Sequence, residues 1–279
     1  MPLYRLSQWA LIAPALALVI ALFAIPIAWF IGASLAELGS LSSIWDTATS
    51  ILGSRAILGA IWTTNVIALV VTVCTLIVGY PLSFALSRAK GLALSLILIC
   101  IVIPYFTSVV VRTYAWMVLL GRNGVINQFL LWTGLIDQPL SLMYNRLGVV
   151  IGMTYVLLPY MVLTLFGAMK AVDMRLLLAA EGMGAKPLAV FTKVFFPLTL
   201  HGVMAGSLIV FILAIGFFIT PALMGGTGDI MMATLIEREI EVSQNWPVAA
   251  LMTIALLGIT LTLYALYSRF ADRSGERFV

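Results

Sequence analysis

The chain alternates between long uninterrupted apolar runs and short stretches in which its polar residues collect. Six runs stand out: Trp9–Leu35, Ile61–Leu86, Leu92–Leu120, Leu147–Met169, Gly202–Met224 and Pro247–Phe270. Each is at least as long as the roughly 20 residues a helix needs to cross a hydrocarbon core. None shows the ten-residue polar/apolar alternation of a membrane-spanning strand. The pattern therefore predicts an all-α chain of six transmembrane helices. The first run exceeds the apolar region of a signal peptide, about 7–15 residues, and is expected to remain as an anchor.

Composition removes most other classes. Of 279 residues, 63% are hydrophobic and 9% charged, whereas soluble domains are about 45–50% apolar and about 25% charged. So few charges cannot cover so much apolar surface in water, which excludes a soluble enzyme, a nucleic-acid binder and a disordered tail. Cys74 and Cys100 both fall inside apolar runs and are expected to be small core residues. They are too few for a disulfide framework or a zinc site.

The loops carry the orientation. With a cytoplasmic N-terminus, the inner side holds Arg5, Arg88, Lys90, Lys170, Arg175, Lys186, Lys193, Arg269, Arg273 and Arg277. The outer side holds only Arg55, Arg122, Arg146 and Arg238. This satisfies the positive-inside rule and places both termini in the cytoplasm. Acidic residues run the other way, leaving the outer face net negative, as suits a cationic ligand or a basic partner; topology alone also produces such a bias. The longest loops are one inner segment, Lys170–His201, and three outer ones after the first, third and fifth runs. Long ordered loops in compact proteins usually carry function.

Catalytic chemistry is missing. No Gly-Lys-Ser/Thr occurs, so there is no Walker-type phosphate loop, and the single histidine, His201, rules out a paired-histidine metal site. No carboxylate sits within a run, where ion-coupled carriers often place one. Apart from Arg269, one residue from the end of the sixth run, Arg112 is the one charge inside a run. It either reaches the outer interface past a bend at Pro104 or lines a pathway near an outer gate. The pairs Gly148/Gly152 and Gly202/Gly206 allow close helix approach and are expected to pack internally. Pro104, Pro159 and Pro221 are candidate helix breaks.

The inner segment is the most informative. Met174–Met183 has helix-forming composition, Gly184 can end that helix with positive φ, and Pro187 suits the first turn of a second one. Such a helix is either a small-residue knob for a groove on a cytoplasmic partner or an amphipathic helix lying among headgroups. The segment resembles the signature of bacterial binding-protein-dependent ABC importer permeases: Glu-Ala-Ala, three residues, Gly, nine residues, then Ile-x-Leu-Pro. Ala179, Ala180, Gly184 and Pro197 match at the required spacing. Leu178 stands where the family has its leading glutamate, and Glu181 follows three residues later. Val111–Trp116 with Pro104 upstream, Thr220–Gly226 and Asn245-Trp-Pro247 resemble the spermidine/putrescine-type members.

The resemblance implies a type I ABC importer permease fold: one transmembrane permease domain over residues 1–279, with 170–201 as its coupling loop. It implies a non-catalytic subunit of the bacterial inner membrane, with Ala179, Ala180, Glu181, Gly184 and Pro197 at the ATPase contact. It implies no cofactor on this chain and no nucleic acid. ATP and Mg would lie on two cytoplasmic ATPase partners, a second permease, non-identical more readily than identical, would complete the pathway, and an external solute-binding protein would deliver the solute. Polyamine is the substrate the resemblance favours; opines and amino acids suit similar permeases, and a secondary carrier is the rival of another class. Aromatic faces hold ammonium groups, so Tyr105, Arg112, Tyr114, Trp116, Tyr155 and Tyr160 are pathway candidates. The same rings also suit interfaces and helix contacts. Glu237, Glu239 and Glu241 form either an outer mouth or a solvated loop face.

Overall fold

The computed structural model describes residues 8–275, and among them every regular element is a helix. In chain order these are α1 (Gln8–Val19), α2 (Ile25–Ala36), α3 (Leu41–Gly53), α4 (Arg55–Arg88), α5 (Gly91–Val102), α6 (Val109–Leu120) and α7 (Val125–Trp132). There follow α8 (Arg146–Lys170), α9 (Met174–Gly182), α10 (Pro187–Val190), α11 (Phe196–Ile215), α12 (Ile219–Met224), α13 (Met232–Glu241) and α14 (Trp246–Gly275). Among the described residues, five stretches are long and apolar enough to cross a membrane: Ala13–Ala36, Arg55–Arg88, Arg146–Lys170, Pro187–Ile215 and Trp246–Ala265. A bent pair, Gly91–Phe106 with Val109–Trp132, meeting at 103°, is either a broken sixth span or a re-entrant loop.

That bend falls at Pro104, one of the candidate helix breaks, and divides the run Leu92–Leu120. Pro104 lies in a 3-10 turn, Ile103–Phe106, because proline lacks an N–H and its ring displaces the carbonyl four residues back. Thr107 then folds onto the turn, its hydroxyl donating to the Pro104 carbonyl at 2.6 Å. Pro159 does not break its helix, since α8 runs through it. The break near Pro221 falls earlier, at residues 216–218, so the fifth span is Pro187–Ile215 rather than Gly202–Met224. His201 accordingly sits inside α11, and most of the expected inner loop is helical.

Two other prolines are accommodated by one device. Ile25 N–H bonds Ile20 O across a π turn over Ile20–Ala24, just before Pro26. Phe196 N–H bonds Phe191 O across a π turn over Phe191–Phe195, just before Pro197. The wider turn makes room for the ring and keeps the axis continuous. Helix starts are capped by side chains: Ser40 for α3, Asn145 for α8 and Asp173 for α9 each accept a backbone N–H of the first turn.

The chain divides into two compact units. One takes the chain up to Leu58 with Ile236–Leu257; there Phe30 and Trp246 meet edge to face at 5.8 Å. The other takes Gly59–Leu235 with the chain from Gly258, and α8 is its centre. Met153, Leu157, Met161, Val162 and Leu165 of α8 are fully buried. On the α4 side, the Ser83 hydroxyl donates to Val162 O at 3.1 Å. On the α11 side, a Cβ at Gly206 would lie 2.9 Å from Met161 Sδ, and one at Gly202 would overlap the Ala168 Cβ. Gly152 likewise receives Thr220 and Met224 of α12. Both glycine pairs therefore pack internally, as expected. Cys100 departs from the expectation of a core residue, being exposed on α5, while Cys74 is half-buried.

Overpacking this seam is testable. Gly206→Leu is expected to destabilise by about 1–3 kcal/mol, read as a lower Tm in detergent and lower membrane yield. Gly167→Leu on exposed α8 surface, where a Cβ meets nothing within 4 Å, is expected to leave both unchanged.

Candidate functional site

The coupling segment is built on backbone geometry. Asp173 caps α9 by accepting Arg175 N–H at 2.8 Å. At the other end Gly184 has φ +85°, its N–H bonds Glu181 O at 2.9 Å, and Ala185 N–H bonds Ala180 O at 3.1 Å. These two bonds and the left-handed glycine make a Schellman cap. The spacing from Ala180 to Gly184 is thus the spacing this helix end requires. Leu177 and Ala180 face inward, while Leu178 and Met183 are exposed, at 63% and 83%. Ala179, Ala180 and Pro197 border one cavity of about 580 Å³, lined mostly by apolar side chains together with Lys193 and His201. Glu181 and Gly184 lie outside it on the exposed rim.

Behind the segment stands an aromatic cluster that sequence reasoning missed. Phe191, Phe195 and Phe196, in and beside the π turn, pack on Tyr80 and Phe84 of α4 with ring centroids 5.2–6.2 Å apart. Arg88 lies over the Phe84 ring at 4.9 Å, and the Tyr80 hydroxyl pairs with Thr199 Oγ1 at 2.9 Å. The available signal was the i, i+4, i+8 spacing of Tyr80, Phe84 and Arg88 on one helix face, but nothing in it names the partner 110 residues on.

The pathway candidates separate into three groups. Tyr105, Arg112 and Tyr160 come together around a cavity of about 360 Å³ between the bend, α6, α8 and the end of α11. There the two tyrosine hydroxyls share a hydrogen bond at 2.8 Å and the rings meet edge to face at 5.4 Å. Trp116 and Tyr155 form a separate edge-to-face pair at 5.4 Å across α6 and α8. Tyr114 points elsewhere, lining a cavity of about 680 Å³ with Arg122 and the segment Pro139–Tyr144. That segment is braced by Asn127, fully buried, whose amide donates to Gly121 O and Leu140 O while its carbonyl accepts Leu140 N–H.

Glu237, Glu239 and Glu241 lie on α13, a helix rather than a loop, so the three do not share one face. At 100° per residue, Glu239 is turned about 200° from Glu237, leaving Glu237 and Glu241 on one side. The start of α13 is fixed by Thr64 of α4, whose hydroxyl accepts the buried Met232 N–H at 2.8 Å. The loop before it is tied to α8 by the Arg146–Asp229 ion pair at 3.1 Å.

Residues 71–275 match the family described as the binding-protein-dependent transport system inner membrane component. The chain belongs to that family. The spermidine/putrescine transport system permease protein PotB of Escherichia coli (strain K12) is 34% identical over 212 residues, spanning 75% of this chain and 77% of PotB. The inner membrane ABC transporter permease protein YdcU of the same organism is 31% identical over 226 residues, 76% of this chain and 70% of YdcU. Among solved structures, a bacterial alginate ABC transporter in complex with alginate pentasaccharide-bound periplasmic protein superposes with TM-score 0.72 over 95% of this chain and 94% of that one, at 15% identity. The MetNI methionine ABC transporter, in inward-facing conformations, gives TM-score 0.60 over 79% and 99%, at 14% identity. At such identities the likeness is one of fold, the type I importer permease fold.

The chain is therefore a non-catalytic permease subunit of an ABC importer in the inner membrane, and ATP hydrolysis belongs to its ATPase partners. The motif that first pointed to this family is, in the structure, a capped helix standing on aromatic rings. Two variants test that support. Tyr80→Phe removes only the hydroxyl bonded to Thr199 and is expected to cost about 0.5–1.5 kcal/mol. Phe84→Ala removes both ring contacts and the seat of Arg88, and a larger fall in detergent Tm is expected than for Tyr80→Phe.

Proposed function

We infer that this chain is one of two non-identical permeases in an ATP-driven importer of a small organic amine, the class to which spermidine and putrescine belong. The observation that carries the reading is the 34% identity to PotB across three quarters of both chains. Both termini lie in the cytoplasm on this reading, and residues 1–279 act as one transmembrane permease domain. An external binding protein delivers the solute at the outer loops, with Glu237, Glu239 and Glu241 on the side it approaches. Two cytoplasmic ATPases bind ATP and Mg.

Ala179, Ala180, Glu181, Gly184 and Pro197 receive the ATPase movement. The segment suits that role physically. Its tip exposes Leu178 and Met183 to a partner groove, and its base is held by the aromatic cluster, so a push on α9 reaches α11 through Phe191–Phe196 and Pro197. Leucine in place of the family's glutamate at position 178 replaces a charge at that tip by an apolar contact.

Mass spectrometry of proteins co-purified in mild detergent from native membranes tests the assembly. A Walker-type ATPase with a second six-span protein is expected; the chain recovered alone and still transporting would make it a carrier. Gly184→Val tests the coupling segment. A Cβ there meets nothing within 4 Å, and the positive φ of Gly184 costs an L residue about 1–2 kcal/mol. Normal membrane insertion with ATPase activity uncoupled from uptake is expected, and unaltered uptake would overturn the assignment.

A further inference from the structure

Arg112 is a buried charge without a counterion among the described residues. It is 8% exposed, and its Nε is buried with no hydrogen-bond partner among the described residues. It lines the cavity at the bend together with Tyr105, Thr107, Ser108 and Tyr160. The remaining walls, including Val156, Leu157, Leu213 and Phe217, are apolar, and no carboxylate lines the cavity.

The polar groups there are mainly donors looking for an acceptor. The Tyr105–Tyr160 hydrogen bond uses one of the two hydroxyl protons and leaves the other. Thr107 spends its proton on Pro104 O. Arg112 has its Nε–H unspent, and a guanidinium is a planar fork that matches a carboxylate through two parallel bonds. A buried guanidinium left unpaired is strongly unfavourable, whereas one met by a carboxylate is not. An ammonium group in the same cavity would instead meet a like charge at low dielectric.

We propose that the Arg112 cavity is a carboxylate-accepting site, filled in the working importer by an acidic group this chain does not carry. The site deepens the importer reading and rests on it. The carboxylate has two sources: an acidic side chain of the second permease, reaching in across a shared pathway, or an acidic end on the transported amine itself.

The experiment uses the complete importer with Arg112→Gln, Arg112→Lys and Arg112→Glu. It reads recovery of the second permease on a tagged copy of this chain, and uptake of two probes. Putrescine is the bare diamine, and 4-aminobutyrate has the same four-carbon span with one end a carboxylate. Membrane yield of each variant reports loss of fold separately. If the second permease supplies the acid, Arg112→Gln lowers recovery and uptake of any transported probe about tenfold or more. Arg112→Lys then keeps part of both, and Arg112→Glu is rescued by exchanging one membrane-embedded Asp or Glu of the second permease for Arg. If the solute supplies it, recovery is unchanged and Arg112→Gln lowers 4-aminobutyrate uptake about tenfold or more, leaving putrescine uptake as it was. Recovery unchanged with no uptake that depends on Arg112 overturns the proposal. A native importer that assembles but takes up neither probe counts against the amine reading; recovery still decides the second-permease source, and flat recovery then overturns the site as well.

Discussion

In hydrocarbon no water replaces a lost backbone hydrogen bond, so a membrane helix departs from straightness only where another group takes over. That constraint organises this chain. Pro26 and Pro197 are each preceded by a π turn whose wider bond carries the helix past the ring. At the sharp bend, the 3-10 turn and the Thr107 hydroxyl close on the Pro104 carbonyl. The buried N–H that opens α13 is met by Thr64, which itself donates to Ala60 O on its own helix. The polar side chains of the spans serve mainly in this role. Thr72 and Thr75 of α4 likewise donate to carbonyls of their own helix, which explains why threonine is tolerated there and carboxylates are absent.

How much of this was legible follows from the range of each interaction. The apolar runs report a requirement met residue by residue, so the spans were readable. Helix ends were partly readable, because caps such as Asn145 and Asp173 and the left-handed Gly184 act within a few residues of themselves. The coupling segment was the clearest signal for that reason: its spacing is a Schellman cap, a local object. Prolines were ambiguous because the same residue bends the chain at Pro104 and leaves α8 continuous at Pro159. The aromatic cluster and the Arg112 cavity were out of reach, since each joins residues from elements far apart in sequence. The chemistry of Tyr105, Arg112 and Tyr160 is visible in the sequence, but only the fold separates them from Tyr114 and from the Trp116–Tyr155 pair.

The two functional regions share one rigid element. α8 carries Tyr160 at the cavity and leads through three residues into α9. α11 carries Pro197 and His201 at the coupling cavity and Leu213 at the other, about 24 Å apart at 1.5 Å per residue. Between these ends the helices are locked by side chains seated on glycine, Met161 on Gly206 and Ala168 against Gly202. Such a seam has few rotamers to absorb a displacement. On the proposed coupling role, a movement imposed on α9 would travel along the α8–α11 pair to the break at residues 216–218 and to the bend at Pro104, the places where the chain has already given up helical continuity. On the proposed reading, Arg112, a buried charge at that meeting point, is held by elements that the coupling segment would move, and the strength of its pairing would change with them.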